Sequence, residues 1–349
     1  MATLQTWTIG SGGDYTDFPA WYAAQLGSPV SLVALDQVWK LVFLNQVHDW
    51  TLGANGALVL SVLDITATDS TRYLWITGDP DTWHKGRPGV GPRIIISSDM
   101  GAGDDIIGIF QINHTLVEKL ELSYTGSATD DGSSSSACKM NGDEMKQRHL
   151  LVHDINISSR NRGISQLPPG GGATGGDICN NIVYNIGEGT VSADSSGIRM
   201  EGDDKRIYNN TVYNVDSWGI EMTSWNASDT NYARNNMAFG CGVADFIFQA
   251  GSGTNDVAYC LSGDLTADGA GGTGNQTGIT AADQFVSIAG ENFHLKAGAD
   301  AILAGTNLGA GVWDTDIDGV TRRTNGNWDI GADQRAADTS LVTEIVAQF

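Results

Sequence analysis

The chain has 349 residues, 45 of which are glycine, only 17% of its residues are charged, and its formal net charge at pH 7 is −22. Such an acidic molecule repels nucleic acid and anionic membrane surfaces, so neither is an expected partner. The high glycine content and the low charge density are typical of a turn-rich β protein rather than a helical one.

Residues 1–9 contain neither the basic nor the apolar region of a secretion signal, and no apolar run approaches the length of a membrane-spanning helix. We therefore expect synthesis in the cytosol and no membrane insertion. The four cysteines have no CxxC spacing and are expected to be buried free thiols. They are Cys138, Cys179, Cys241 and Cys260.

Residues 1–30 are predicted to form a strand and a short helix. Asp17 is placed as the N-cap of this helix, with Pro19 in its first turn. Its apolar face contains Phe18, Trp21 and Tyr22. A helix at this position would cover the first rung of a repetitive β structure, whose open edge would otherwise promote aggregation.

A phrase containing an Asn-Asn pair occurs three times in residues 177–248. The pairs begin at Asn180, Asn209 and Asn235, which are 29 (209 − 180) and 26 (235 − 209) residues apart. Each pair is followed by a short alternating segment typical of a strand, and no helical pattern separates the strands. Such repeats predict a parallel β-helix, in which stacked Asn side chains bond from rung to rung and tolerate left-handed corners.

The predicted rungs occupy residues 31–284, and residues 285–349 are predicted to form a C-terminal closing segment. Segments rich in Pro, Gly, Ser and Asp interrupt the rungs and are expected to be projecting loops. These loops lie near residues 78–92, 126–137 and 166–176. Loops from one region of a β-helix commonly determine binding specificity.

The C-terminal part contains three ordered phrases, NFHLKAGADAILAG at 292–305, DIDG at 316–319 and DIGA at 329–332. Together they resemble the closing segment of right-handed parallel β-helix proteins of the pectate-lyase-like superfamily. The resemblance implies an all-β fold, a right-handed single-stranded parallel β-helix with a short N-terminal capping helix. It does not imply an activity, because this superfamily includes lyases, hydrolases, esterases, adhesins and phage spikes.

Residues 242–248, GVADFIF, resemble the G-x-V-D-F-I-F motif of pectin methylesterases. The resemblance implies that Asp245 is a nucleophile. Residues 228–232, SDTNY, are similar to the Q-D-T-L-Y motif of the same family, which makes Asp229 the implied general acid. Such chemistry requires two carboxyl groups of different pKa on neighbouring rungs.

Two elements of the esterase site have no counterpart in this sequence. Ser228 replaces the Gln that helps to stabilise the oxyanion, and the downstream L-G-R-P-W motif with its Arg is missing. The sequence therefore favours a structural role, in which Asp245 turns a corner while Phe246 and Phe248 pack inside the coil.

Aromatic residues beside a carboxylate indicate a sugar-binding groove over the central rungs. The candidate ligand-binding residues are Tyr213, Trp218, Glu221, Trp225 and Tyr232. Glu221 also has an alternative role, because Arg199 and Glu221 occupy matching positions in two Gly-Ile repeats and are expected to form a cross-rung ion pair.

No metal site or cofactor is predicted. Residues 314–319 fit the first half of a calcium-binding loop, but Asn325 occupies the position where a bidentate Glu is required. His149 and His153 would point to one side of a strand without a third ligand nearby in sequence.

The incomplete catalytic set and the absent secretion signal favour a non-enzymatic role. The overall organisation resembles β-helix proteins encoded by tailed phages, which implies a structural or adhesion module located in a virion, as a spike, fibre or capsid decoration. The implied partners are copies of the same chain in a homotrimer, other virion proteins and a cell-surface glycan. The alternative is a carbohydrate-active enzyme, either a pectin-methylesterase-like esterase or a glycoside hydrolase or lyase, acting at the central rungs.

Overall fold

The computed structural model describes residues 1–49, 58–61, 64–100, 103–127, 134–157, 160–168, 174–187, 194–226, 230–250, 253–269 and 271–335. In these residues the chain passes repeatedly through three parallel sheets, called sheets A, B and C, in that order. Within each sheet, every strand except the two at its ends pairs with the strand one turn earlier and the strand one turn later. The fold is a right-handed parallel β-helix, the hand that connections between parallel strands take.

The three sheets contain nine, eight and seven strands. Sheet A consists of Thr3–Ile9, Gln37–Phe43, Leu74–Gly78, Thr115–Glu118, Lys146–Arg148, Asp177–Cys179, Arg206–Tyr208, Thr230–Arg234 and Thr254–Ala258. Sheet B consists of Val47–His48, Arg93–Ile96, Glu121–Tyr124, Leu151–Ile155, Ile182–Ile186, Thr211–Val215, Met237–Phe239 and Leu261–Ser262. Sheet C consists of Leu58–Ser61, Ile107–Phe110, Ser134–Asn141, Arg160–Gln166, Ser196–Glu201, Trp218–Ser224 and Ala244–Ala250.

Short elements complete the described part of the chain. Two small sheets pair Val30–Ser31 with Ile65–Ala67 and Phe285–Ser287 with Asn292–Leu295. The helices are Phe18–Gln25, Leu32–Leu35 and Ala281–Gln284, and a 3-10 turn spans Thr266–Asp268. None of these helices is long and apolar enough to cross a membrane.

The core is built from apolar side chains stacked on matching positions of successive rungs. In sheet C, Ile164, Ile198, Ile220 and Phe246 are register partners in consecutive strands. Each is at most 2% exposed. Stacking side chains of similar size fills the interior without cavities, which is why a sequence repeat of this kind folds as a coil.

The Asn-Asn pairs form the corner between sheets A and B, as predicted. The first Asn of each pair has a left-handed backbone conformation, with φ of 56° at Asn180, 56° at Asn209 and 54° at Asn235. The second Asn of each pair points inward and bonds to the next rung. Asn210 Oδ1 accepts the backbone N–H of Asn181 at 3.1 Å, and Asn236 Oδ1 accepts that of Asn210 at 3.0 Å.

The N-terminal helix Phe18–Gln25 has the predicted cap. Asp17 accepts the N–H of Ala20 at 2.8 Å, and proline occupies the first turn. The Trp21 ring is fully buried and lies 6.0 Å from the rings of Trp7 and Trp39 on the first two strands of sheet A. The helix is therefore fixed to the first rungs by an aromatic cluster.

The described part of the C-terminal segment lies along the side of the coil. Phe285, Phe293 and Ile330 share one buried cluster with Tyr184 and Phe239 on the outer face of sheet B. A second line of contacts follows the corner ladder. The Asn209 and Asn235 amides donate to the Trp313 and Thr306 carbonyls, and Arg322 donates to Asn180 Oδ1 at 3.0 Å.

The three predicted projecting loops have different structures. In 78–92 the side chains of Trp83 and His84 are 4% and 1% exposed, and His84 Nε2 lies 2.8 Å from the carbonyl oxygen of His149, so this loop folds back onto the coil. Residues 134–137 of the second loop belong to the strand Ser134–Asn141. Residues 128–133 and 169–173, the middle parts of the second and third loops, lie outside the described residues.

Candidate functional site

Asp245 lies at a corner between sheets B and C, and both of its carboxylate oxygens accept backbone N–H groups. Oδ1 accepts from Cys241 at 3.2 Å, and Oδ2 accepts from Gly263 at 2.8 Å and from Asp264 at 3.0 Å. The side chain of Phe246 is 2% exposed and packs inside the coil. This is the predicted corner role, and Asp229, the implied general acid, lies outside the described residues.

The carboxyl partner of Asp245 is Asp264, one rung further on, a residue that was not predicted from the sequence. The two residues bond reciprocally, since Asp264 Oδ2 accepts the N–H of Asp245 at 2.9 Å. Burial raises the pKa of Asp245. Burial alone would also raise the pKa of Asp264, but hydrogen bonds from Thr266 and the backbone of Asp245 lower it. Its position directly after Gly263 at the end of a strand was the available signal.

Gly242, the glycine of the esterase-like motif, has a steric explanation. A Cβ at this position would lie 2.1 Å from the backbone oxygen of Asp216 on the preceding rung. The Gly-x-x-Asp phrase therefore describes a tight corner, in which the glycine permits close rung stacking and Asp245 bonds to the turn.

We expect Asp245→Ala to destabilise the protein by about 2 kcal/mol, because buried backbone N–H groups lose their charged acceptor. Asp245→Asn keeps one acceptor oxygen but turns its NH2 group toward a backbone N–H donor, so it should cost about 1 to 2 kcal/mol. Denaturant unfolding of both variants measures the difference. Equal stabilities for wild type and Asp245→Ala would contradict the corner role.

The predicted ligand-binding residues lie on different faces of the coil. Trp218 and Glu221 belong to sheet C, Tyr213 to sheet B and Tyr232 to sheet A. Tyr213 packs on Phe293 of the C-terminal segment, with the ring centroids 5.5 Å apart. Trp225, in the connection after Trp218–Ser224, is 40% exposed. The structure therefore does not bring the five side chains together in one groove.

Glu221 forms the predicted cross-rung ion pair. It is the register partner of Arg199, and Arg199 Nη1 lies 3.3 Å from Glu221 Oε2. The same oxygen accepts the hydroxyl of Ser196 at 2.8 Å. Arg199 also pairs with Glu201, from Nε to Oε1 at 2.7 Å. Glu221 is only 1% exposed, and burial raises its pKa.

A groove of about 540 Å³ lies over sheet A. Its lining includes Tyr73, His114, Leu116, Lys146, Arg148 and Val312. The outward row that contains Leu116 and Lys146 continues to Trp75 and Lys40 on the earlier rungs. Lys40 Nζ lies 3.7 Å from the centroid of the Trp75 ring, a cation–π contact.

The strands of sheet A carry more basic than acidic residues, unlike the chain as a whole. These nine strands contain five of the 19 Lys and Arg residues of the chain but only three of its 41 Asp and Glu residues. The basic residues are Lys40, Lys146, Arg148, Arg206 and Arg234. Arg148 Nε pairs with Glu118 at 2.6 Å, and the Arg206 guanidinium lies 5.2 Å from the Trp313 ring. Cations and aromatic rings thus line one face of an acidic protein.

Two histidine clusters lie near sheet B and the C-terminal segment. His153 Nδ1 lies 2.8 Å from Asp154 Oδ2, and its Nε2 lies 3.1 Å from Glu121 Oε1. In the second cluster His294, Asp318 and Asp333 have ligand atoms within 4.8 Å of one another, so these three residues could hold a cation. His294 Nδ1 also lies 2.7 Å from Asn292 Oδ1, so the imidazole faces an oxygen at each nitrogen.

The cysteines of the structure are free. Cys138, Cys179 and Cys260 are buried and Cys241 is half-buried. Burial raises the pKa of the Cys138 thiol to about 12 and that of Cys260 to about 11. Thiols of this kind are unreactive core residues rather than nucleophiles.

No known protein family and no curated protein matches the chain. Among solved structures, the crystal structure of pectate lyase Pel9A is similar, with 11% sequence identity, a TM-score of 0.39, and an alignment that covers 96% of this chain and 97% of that chain. This similarity carries no information on activity. The three stacked sheets are those of the predicted parallel β-helix.

Proposed function

We propose that the chain is a glycan-binding β-helix module and that the groove over sheet A is its binding surface. The observation that carries this proposal is the groove itself, which Lys146 and Arg148 line together with Tyr73 in a molecule with a net charge of −22. Sugar rings stack on aromatic faces, and Arg and Lys side chains bind hydroxyl, carboxylate and sulfate groups. A stiff coil presents such a surface without a large ordering cost.

The biological setting that fits this module is adhesion or structure in a phage-like virion. The proposal includes a spike, fibre or capsid decoration role, assembly as a homotrimer or with other virion proteins, and a cell-surface glycan as ligand. It is supported by the resemblance of the chain to β-helix proteins of tailed phages and by the backbone N–H groups that occupy both oxygens of Asp245.

The first test measures binding to a panel of neutral and acidic oligosaccharides by calorimetry. Lys146→Ala removes a cation from the groove and should weaken binding by about tenfold, the value of one charge-assisted hydrogen bond. Tyr73→Ala removes a ring from the groove wall and should also weaken binding. Lys296→Ala is the matched control, because its ammonium pairs with Asp283 away from sheet A.

The second test examines the enzymatic alternative with the same oligosaccharides. Release of methanol, new reducing ends and absorbance of unsaturated uronates are followed with wild type and Asp245→Asn. We expect no turnover from either protein. Turnover that Asp245→Asn abolishes would overturn the non-enzymatic proposal, and unchanged binding in Lys146→Ala would overturn the placement of the ligand on sheet A.

A further inference from the structure

Three side chains from separate parts of the C-terminal segment converge on one point. His294 lies on the strand Asn292–Leu295, Asp318 lies in the turn at 316–319, and Asp333 directly follows the DIGA sequence at 329–332. One ligand atom from each residue lies within 4.8 Å of the other two, although the residues are up to 39 positions apart (333 − 294). Each of the three C-terminal sequences therefore brings one metal-ligating side chain to the same place.

The imidazole of His294 is oriented by the side chain of Asn292. Nδ1 lies 2.7 Å from Asn292 Oδ1, and the same oxygen accepts the backbone N–H of His294 at 3.4 Å. An amide oxygen only accepts, so Nδ1 is the protonated nitrogen. Nε2 lies 3.1 Å from Asp318 Oδ1, a second acceptor, and a proton or a metal ion must lie between these two atoms. Metal-binding histidines are commonly fixed in this way, through a hydrogen bond from the other ring nitrogen.

Asp333 supplies a second carboxylate to the same point. It is 6% exposed, and the backbone N–H of Leu295 donates to its Oδ2 at 2.8 Å. The charge of Arg322 reaches Asp333, but a terminal nitrogen of this guanidinium donates to two backbone carbonyl oxygens at 2.9 Å. A protonated His294 has one N–H at Nε2 and can donate it to only one of the two carboxylates. A divalent ion can bind both, and buried carboxylates are typically paired or bound to a metal.

The distances and the exposure of the site fit a bound ion. Nitrogen and oxygen ligands lie about 2.0 to 2.2 Å from zinc, so two ligands of one ion are about 3 to 3.5 Å apart. The 3.1 Å between His294 Nε2 and Asp318 Oδ1 agrees with this range. The Asp318 side chain is 36% exposed, which gives an ion a path of entry and lets water complete the coordination. Gly86 packs on the imidazole, where a Cβ would lie 3.0 Å from Cε1.

The structure assigns to His294, Asp318 and Asp333 a binding site for a divalent transition-metal ion such as zinc. One imidazole nitrogen beside two carboxylate oxygens suits such an ion, whereas calcium and magnesium prefer oxygen ligands alone. The bound ion would link the three C-terminal sequences to one another. It would stabilise the folded segment, because the unfolded chain does not hold the ligands together. This inference does not depend on the groove over sheet A.

The experiment measures zinc binding to the full chain by calorimetry after treatment with EDTA. Excess magnesium is present throughout to occupy weak carboxylate sites on the acidic surface. Wild type should bind one zinc ion per chain, and zinc should raise its thermal unfolding midpoint. Asp318→Asn removes the charge of one ligand and His294→Gln removes the nitrogen ligand. Each should weaken zinc binding at least about tenfold, since loss of even an outer-shell partner has an effect of this size.

Two control variants locate the ion. Asp283→Asn removes a carboxylate of the same segment that is 67% exposed and pairs with Lys296. His153→Gln removes the other imidazole that lies against two carboxylates, those of Asp154 and Glu121. Both variants should bind zinc as wild type does. X-ray absorption of the zinc-loaded protein should show nitrogen and oxygen ligands without sulfur, which separates this site from the cysteines.

The assignment fails in any of three cases. If wild type binds no zinc at a fixed stoichiometry and its midpoint does not rise, His294 and Asp318 form an ion pair of an imidazolium and a carboxylate. If zinc binding is unchanged in Asp318→Asn, or is lost in His153→Gln, the ion lies elsewhere. If binding is lost in Asp318→Asn but kept in a folded His294→Gln, the imidazole is not a ligand. Asp318 is the most exposed of the three residues, so Asp318→Asn remains a test if His294→Gln does not fold.

Discussion

Replacing Asn210 with alanine will lower the free energy of unfolding by about 4 kcal/mol, the cost of leaving several buried polar groups without partners. The Asn210 side chain is completely buried. Its Oδ1 accepts both the backbone N–H of Asn181 at 3.1 Å and the Asn181 amide at 3.0 Å. Its Nδ2 donates to the carbonyl oxygen of Ile178 at 2.9 Å. Alanine would break all of these bonds and leave a cavity.

The matched control is Asn214→Ala, on the outer ladder of the same rung. Asn214 is half-buried, has φ of 55° and donates to Asn185 Oδ1 at 2.9 Å. Alanine at this position should cost only about 1 to 2 kcal/mol, because the side chain is half-buried rather than buried and the left-handed backbone disfavours alanine only modestly. Denaturant unfolding measures both variants, and hydrogen exchange at the Asn181 amide reports the local effect. Similar losses of unfolding free energy in Asn210→Ala and Asn214→Ala would show that the buried Asn210 side chain stabilises the fold no more than the half-buried Asn214 side chain does.

The stacked Asn residues at the corner between sheets A and B also show which part of the fold can be predicted from the sequence. A corner that needs a left-handed residue followed by an inward-pointing amide imposes the same two residue types on each rung, so Asn180, Asn209 and Asn235 recur visibly. The same left-handed corner also occurs on rungs that have no Asn-Asn pair, at His149 with φ of 51° and at Tyr259 with φ of 54°. Backbone geometry constrains these positions, but other residue types satisfy it at a modest cost.

The candidate sites are harder to predict from the sequence than the fold, because they depend on which sheet each strand joins. Tyr213 and Tyr232 are close in sequence, yet one belongs to sheet B and the other to sheet A. Connections of unequal length between strands obscure this assignment. Arg199 and Glu221 were predictable because equivalent positions in adjacent repeats become register partners.

The path of the C-terminal segment is a further feature that local patterns do not contain. His294 lies 3.1 Å from Asp318, and Arg322 reaches Asn180, 142 residues earlier. The sequences at 292–305 and 316–319 predict a β-helix but not which face of the coil these residues cover. That choice follows from the apolar outer face of sheet B, whose Tyr184 and Phe239 would otherwise be exposed.

His153 makes the stability of the protein depend on pH in the alkaline range. Its imidazole lies between Asp154 and Glu121 and stacks on the Tyr184 ring with centroids 5.0 Å apart. Burial by itself lowers the pKa of His153, but the hydrogen bonds to the two carboxylates and their charges outweigh it and raise the pKa to about 9. The folded protein therefore holds this proton more tightly than the unfolded chain, whose histidine pKa is about 6.5.

The sign of the effect follows from these two pKa values. The stabilisation that His153 contributes is fully present below about pH 6.5, where the imidazole is protonated in both the folded and the unfolded protein. It is lost as the pH rises through about 9, and the total loss of stability is about 3 kcal/mol. His153→Gln lacks the charge, so the stability difference between wild type and His153→Gln should shrink by this amount between about pH 6 and 10. Asp154→Asn should show a smaller pH-dependent loss, since Glu121 remains as a partner. Denaturant unfolding at several pH values measures the stability of all three proteins. If the stability difference between wild type and His153→Gln does not change with pH, His153 is neutral in the folded protein.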